Sequence, residues 1–253
     1  MTVGERAGRT PSGVVLRFSM PLLVCLVPIL FLSTAVRLEM NSPGLYERGF
    51  EEYGISATTS LDKAQLASIA HRLTGYFNST HDSPQMEVTT SDGVSFPLFH
   101  DYELVHLSDV KRLFALNSCV QSLSLLFVSV LLLAAFASRC CNRRRDVLLG
   151  LRRGATVTLL ALLVAAILFA ADFDWMFVGF HLVAFNNPFW LLDPYTDYLV
   201  MLFPLGFWQD TFMLAGIVTG VLSGTTYAAT LLWARVERRN TQGTCLSAEE
   251  GDV

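Results

Sequence analysis

The sequence predicts an all-α integral membrane protein: a four-transmembrane-helix bundle with an extracytoplasmic cap and an interfacial aromatic segment. Three observations predict it. Of 253 residues, 52 % are hydrophobic and only 16 % are charged, whereas soluble domains carry about a quarter charged residues. Four apolar stretches each approach the ~20 residues that a helix needs to cross ~30 Å of hydrocarbon. The basic residues gather beside those stretches, on alternating connections.

The expected organisation is a tail at 1–17, spans at 18–36, 119–138, 155–177 and 212–233, and connections at 37–118, 139–154 and 178–211, with a second tail at 234–253. Pro21 and Pro28 fall in the first span, where a missing N–H is tolerated better than in soluble helices. Arg6, Arg9 and Arg17 precede that span. Arg139, Arg143, Arg144, Arg145, Arg152 and Arg153 fill the second-to-third connection, and Arg235, Arg238 and Arg239 follow the fourth. Residues 178–211 hold no Lys or Arg. The positive-inside rule then places both tails and the Arg-rich loop in the cytoplasm, and the two other connections outside. A competing reading makes residues 1–35 a signal peptide cut near Ser33-Thr34-Ala35, but the apolar stretch exceeds the usual core of about 7–15 residues.

Of 18 basic residues, 16 are Arg, and no basic stripe with interleaved aromatics suggests nucleic acid. Cys25, Cys119, Cys140, Cys141 and Cys245 include no pair on the outer connections, so a disulfide framework is not expected. Cys140 and Cys141 read as juxtamembrane thiols, with lipidation or metal binding as the lesser readings.

The first outer connection reads as a small cap. Thr59-Ser60-Leu61-Asp62 opens a helix in capping-box style, and Leu66, Ile69, Ala70, Leu73 and Phe77 continue it with helical periodicity to about Asn78. Asp92-Gly93 suggests a short hairpin over 87–90 and 94–98. The stretch Glu103-Leu104-Val105-His106-Leu107-Ser108-Asp109-Val110-Lys111 then leads into the second span, with Ser108 as a candidate cap. Its ionisable residues are either a functional cluster at the lipid boundary or a solvated helix entrance with paired charges.

Between Phe180 and Trp208 lie nine aromatic residues and the helix breakers Pro188, Pro194 and Pro204. Such a segment belongs in the outer interface or in a re-entrant piece. An aromatic belt explains the rings, but not the embedded His181, Asn186, Asn187, Asp193 and Asp197. His106 and His181 both fall near headgroup depth on the outer side. Histidine titrates near neutrality, so such a pair suits general acid–base work on a lipid ester. His71, His81 and His100 read as surface histidines. The spacings lack a metal-ligand cluster, and neither a phosphate-binding glycine loop nor a Gly-x-Ser-x-Gly elbow occurs. No cofactor, metal, nucleotide or nucleic acid is expected.

Three groups of residues resemble one bacterial membrane-protein family. They are the 103–111 stretch running on to Leu113-Phe114; Phe180-His181, Phe185-Asn186 and Trp190-Leu191-Leu192-Asp193-Pro194; and Tyr46-Glu47-Arg48-Gly49-Phe50 with the helix at 61–78. The family is that of the lipoprotein intramolecular transacylase, and the likeness covers about 18–235. The resemblance implies an acyltransferase of the bacterial cytoplasmic membrane, acting at the extracytoplasmic face. It would move the sn-2 acyl chain of a diacylglyceryl lipoprotein to the α-amino group of that lipoprotein's amino-terminal cysteine, giving the lyso form. Its partners would be the diacylated lipoprotein and membrane lipid. The resemblance puts His106 and His181 in the catalytic positions; beside them, as a mechanistic expectation and not part of the resemblance, Glu103, Asp109, Lys111, Asn186, Trp190 and Asp193 are taken as supporting residues. Asp109 would orient an imidazole, and Lys111 or Asn186 would donate to an oxyanion. Two departures stand out: Leu205 rather than Glu follows Pro204, and Leu107 rather than Met follows His106. A non-catalytic lipid- or partner-binding protein and a lipid-ester hydrolase are the competing readings.

Overall fold

A computed structural model describes the backbone of residues 11–137 and 141–249, with side chains from 19–137 and 142–237. Arg6, Arg9, Arg139 and Cys140 lie outside the described residues. In chain order the elements are α1 (Pro11–Met40), α2 (Pro43–Glu52), α3 (Ile55–Thr59), α4 (Lys63–Phe77), β1 (Glu87–Thr89), β2 (Ser95–Pro97), α5 (Asp101–Ala137), α6 (Cys141–Ala171), α7 (Phe173–Ala184), α8 (Tyr198–Leu202) and α9 (Leu205–Glu249). Among the described residues four stretches are long and apolar enough to cross a membrane: Ser19–Met40, Asp101–Ala137, Asn142–Ala171 and Leu205–Glu237. Hydrocarbon offers the backbone no hydrogen-bond partner, so a segment that crosses it must satisfy its own amides and carbonyls as a helix.

Three helix boundaries differ from the sequence expectation, each for a local reason. Ser108 does not cap the second span. It lies inside α5, which runs unbroken from Asp101 and begins with the Leu104 N–H donating to the His100 carbonyl. Residues 101–118 contain no Gly or Pro, and Asp101 and Glu103 place acid in the first turn, where the helix dipole favours it. The third apolar stretch does not continue to Phe177 as one helix. It stops at Ala171, and Asp172 caps α7 by accepting the Trp175 N–H at 2.9 Å. The last helix starts at Leu205, directly after Pro204, so Phe207 and Trp208 stand on its first turns.

The chain forms two compact units, one made of Met1–Phe31, Ser122–Leu162 and Gly220–Val253, the other of Leu32–Gln121 and Leu163–Thr219. In the first, Leu23, Val27 and Leu30 of α1 pack with Val128 and Ala135 of α5 and with Val147 and Leu151 of α6. The close approach of α6 to α1 needs glycine. A Cβ on Gly150 would come within 2.8 Å of a Leu23 methyl, and one on Gly154 within 2.7 Å of the Val27 Cβ. Small residues four apart let two membrane helices meet nearly backbone to backbone. Phe136 and Trp233 meet edge to face at 5.6 Å. Arg144 donates to the carbonyls of Ala135 and Phe136, closing the end of α5.

The second unit has its own core, built from Tyr46 and Phe50 of α2, the buried face of α4, Val88 and Leu98 beside the hairpin, and Leu199, Leu202, Phe203 and Phe207. Helix α4 carries the expected apolar periodicity, with Leu66, Ile69, Ala70 and Leu73 buried. Its cap is Asp62, which accepts the Gln65 N–H at 2.8 Å. Thr59 does not open it. That residue ends α3, donating from Oγ1 to the Ile55 carbonyl, and Ser60 turns the chain with φ +57°. The strands pair antiparallel with Val88 opposite Phe96, and Gly93 supplies the turn at φ +86°. The Gln85 side chain donates to the Phe99 carbonyl at 2.6 Å and accepts the Phe99 N–H at 3.0 Å. It thereby joins the hairpin to the start of α5.

The packing of α6 on α1 gives a discriminating prediction. Gly154→Val overfills the contact with Val27 and should destabilise the protein by about 1–3 kcal/mol. Gly224→Ala, where a Cβ meets nothing within 4 Å, should leave stability equal or higher by up to about 1 kcal/mol. Thermal unfolding of both variants in detergent reads the difference. Equal melting temperatures would show that α1 does not approach Gly154.

Candidate active site

His106 is the sixth residue of α5, and His181 lies in the last turn of α7. The two rings stack with centroids 6.0 Å apart and planes 29° from parallel. Phe185 is 4.8 Å from the His106 ring and 5.5 Å from His181. Phe177 and Trp190 lie 4.3 Å and 5.0 Å from His181. Both histidines are buried, with 7 % and 8 % of their surface exposed, so two polar rings sit in an aromatic wall.

Their hydrogen bonding differs. His181 Nδ1 lies 2.7 Å from the Phe177 carbonyl. A carbonyl only accepts, so Nδ1 carries the proton and donates it, and the lone pair of the neutral ring is left on Nε2. Burial pushes the His181 pKa below its usual value, and the bond to Phe177 opposes that shift only in part. His106 Nδ1 is buried and has no protein partner. An unpaired buried polar atom carries a desolvation cost of about 1–3 kcal/mol, a cost that a polar ligand group would relieve.

Both rings face a cavity of about 270 Å³ whose walls include Tyr46, Phe77, Leu107, Phe114, Phe177, Trp190, Leu192, Leu199, Phe203 and Trp208. The lining is overwhelmingly apolar and contains no carboxylate among the described residues. Leu205, at the position after Pro204, is part of it. Among the described residues no three His, Cys, Asp or Glu side chains converge as a metal site requires. An apolar pocket with two convergent imidazoles suits a lipid-like group that undergoes proton transfer at one end.

The other expected site residues separate into those at the cavity and those away from it. Trp190 forms the wall against His181. Asp109 lies one turn beyond His106 but accepts from Asn187 Nδ2 at 2.7 Å and from Arg112 at 3.3 Å, rather than from an imidazole. Lys111 stands over the Tyr76 ring at 4.2 Å, a cation–π contact away from the cavity lining. Asn186 is exposed, and its neighbour Asn187 makes the polar contacts. Asp193 accepts the Tyr195 N–H at 2.9 Å and shapes a turn. Glu103 is fully buried and accepts the backbone N–H groups of His100 and Leu199 at 2.7 and 2.8 Å. His100, expected as a surface histidine, is exposed but lies 3.1 Å from Glu103. The contributions of Phe177 and Phe203 carry no signal in the sequence beyond aromatic character, and Tyr46 is marked only as part of the 46–50 stretch. Asp197 does carry one, as an acid inside an aromatic run.

The fold and the site define a helical membrane protein with two histidines set at an apolar cavity. The chain belongs to the lipoprotein intramolecular transacylase (Lit) family, whose model matches residues 21–208. A solved structure of Lit from Bacillus cereus is similar, with a TM-score of 0.73 and 16 % identity, covering 90 % of this chain and 99 % of that one. Structures of the same Bacillus cereus protein with one histidine changed to arginine or to alanine give TM-scores of 0.68 and 0.69, also at 16 % identity, covering 90 % of this chain. At that identity the likeness is one of fold. No curated protein matches the chain.

The lowered His181 value has a consequence for stability. The unfolded chain holds this proton more tightly than the folded one. The stabilising contribution of the neutral ring is therefore complete above the ordinary value of about 6.5 and is lost as pH falls toward the depressed value. In His181→Gln, which does not titrate, the fall in melting temperature between about pH 7 and pH 5 should be shallower than in the wild type. An equally steep fall in both would show that the buried ring accepts a proton freely.

Proposed function

We propose that this protein is an intramolecular O-to-N transacylase. It transfers the sn-2 acyl chain of a diacylglyceryl lipoprotein to the α-amino group of the lipoprotein's own amino-terminal cysteine and leaves the lyso form. The observation that carries the reading is the pair of buried imidazoles 6.0 Å apart on one apolar cavity, in a chain of the Lit family. The distribution of Arg supports an orientation with both tails in the cytoplasm and the histidines toward the extracytoplasmic side of the bacterial cytoplasmic membrane.

Ester and amine sit on the same lipid-modified cysteine, so the reaction is unimolecular once the substrate is bound. Holding them in an attacking geometry supplies several kcal/mol of the barrier. The acyl chain lies along the cavity wall of Trp190, Leu192 and Phe203. His106, whose Nδ1 has no protein partner, takes the first proton from the substrate ammonium. The free amine attacks the ester carbonyl. His181 takes the second proton on Nε2, the atom left basic by its bond to Phe177. When the tetrahedral intermediate collapses, the bond between the carbonyl carbon and the glycerol oxygen breaks. That oxygen receives its proton from the His106 imidazolium, and His181 releases its own to solvent. One amide N–H and one new hydroxyl account for the substrate protons that are kept.

The test is expression in a strain whose lipoproteins are otherwise only diacylated, followed by mass spectrometry of a lipoprotein's amino-terminal peptide. The wild type should yield an isomer of unchanged mass with one acyl chain on nitrogen. His106→Ala and His181→Ala should each lower its formation by about 10²–10⁴-fold, the usual scale for general acid–base groups. A free fatty acid in place of the isomer would identify a hydrolase, and an unmodified peptide would favour a non-catalytic binding protein.

A further inference from the structure

Two segments far apart in sequence are cross-tied beside the cavity by two buried carboxylates, each supplied by one segment to donors of the other. From the start of α5, Glu103 Oε1 accepts the Leu199 N–H at 2.8 Å. From the connection before α8, Asp197 Oδ1 accepts the Tyr102 hydroxyl at 2.5 Å. Each carboxylate also organises its own segment. Glu103 Oε2 accepts the His100 N–H at 2.7 Å, while Asp197 accepts the Asp193 N–H at 2.8 Å and the Thr196 hydroxyl at 3.0 Å. The His100 ring completes the cluster, with Nδ1 at 3.1 Å from Glu103 and 3.8 Å from Asp197, stacked on Tyr102.

Every carboxylate oxygen in the cluster is occupied by a donor, and neither acid lines the cavity. The pair is therefore engaged with protein donors and not with the cavity. What it can do is hold backbone. The tied segment is flanked by Trp190, Leu191 and Leu192 on one side and by Leu199, Val200 and Phe203 on the other, all of them cavity wall. Glu103 stands one turn before His106 on the same helix. The backbone around Pro194 closes one local turn, with the Thr196 and Asp197 N–H groups donating to the Asp193 carbonyl; the bonds that fix that turn against the helix carrying His106 come from side chains.

We infer that Glu103 and Asp197 are positioning residues: a reciprocal clasp that locks the aromatic wall of the cavity against His106 and His181 and sets where the acyl ester lies relative to the two imidazoles. The kinetic part of this inference rests on the proposed transacylase reading. The clasp itself does not.

The test compares the full-length wild type with Asp197→Asn, Tyr102→Phe and the double variant, in lipid nanodiscs. Because Asp197→Asn leaves a buried group half satisfied, Tyr102→Phe is the second variant; it removes one hydroxyl and nothing else. Two readouts are taken: hydrogen exchange of the peptide covering 190–203, and initial rates of acyl shift on a synthetic diacylated lipopeptide. Exchange in 190–203 should rise in every variant. Asp197→Asn should lower kcat by about 10–100-fold, the scale of a misplacement of around 1 Å, with KM changed far less. The double variant should be no slower than Asp197→Asn alone, since the Tyr102–Asp197 bond is already altered in Asp197→Asn; a general loss of stability would instead add. Unchanged exchange would overturn the clasp. Raised exchange with wild-type kcat would overturn its positioning role. If even the wild type gave no shifted product, the transacylase reading would fail, and exchange alone would decide whether the clasp holds the wall.

Discussion

Hydrocarbon gives a polypeptide no partner for its amides and carbonyls, and much of this structure follows from how the chain meets that constraint. Where it can, it forms long helices. Where it does not, over residues 185–197, short backbone turns and side chains supply partners. The Asn187 side-chain oxygen accepts the Phe189 N–H, Asp193 accepts the Tyr195 N–H, Asp197 accepts the Asp193 N–H and Glu103 accepts the Leu199 N–H. The acids and amides embedded in the aromatic segment thus have a physical reason to be there. Irregular backbone beside an apolar cavity persists only if something polar satisfies it.

That division separates two kinds of polar residue at the site. Glu103, Asp193 and Asp197 are occupied by backbone and hydroxyl donors. The partners of Asp197 outweigh the effect of its burial and hold its carboxyl below the usual range. The histidines are the groups with capacity to spare: Nε2 of His181 is left basic by the tautomer, and Nδ1 of His106 is unpaired. Acids occupied by protein donors and imidazoles that keep an open nitrogen are easily conflated when both lie close together in a sequence.

Much of the fold was legible in the sequence because its signals are local. Apolar length marked the four membrane-crossing helices, 3.6-residue periodicity marked α4, and Asp92-Gly93 marked the hairpin. The helix boundaries were less legible because competing signals look alike. Ser108 is a good cap residue, but nothing before it stops a helix, so the helix starts at Asp101. Asp172 lies inside an apolar run long enough for one helix, yet it follows the end of α6 and caps α7. At the site, the two histidines stand out by residue type and common depth. The cross-ties do not, because Tyr102 and Asp197 are 95 residues apart and Glu103 and Leu199 are 96 apart, and only the folded chain brings them together. Asn187 rather than Asn186 meets Asp109 for the same reason: adjacent residues on an irregular loop point in different directions, and composition cannot choose between them.

The unbroken course of α5 has one more consequence. At about 1.5 Å per residue, 37 residues make a rod about 55 Å long, against about 30 Å of hydrocarbon. His106 is mounted near the end of that rod, not on a loop. Its position is therefore fixed by the hydrogen-bonded turns on either side of it and not by the torsions of a connection. A ring carried on a loop could turn away by a change in one or two backbone angles; this one can move only if a turn of helix moves with it, so the imidazole inherits the stiffness of its mount.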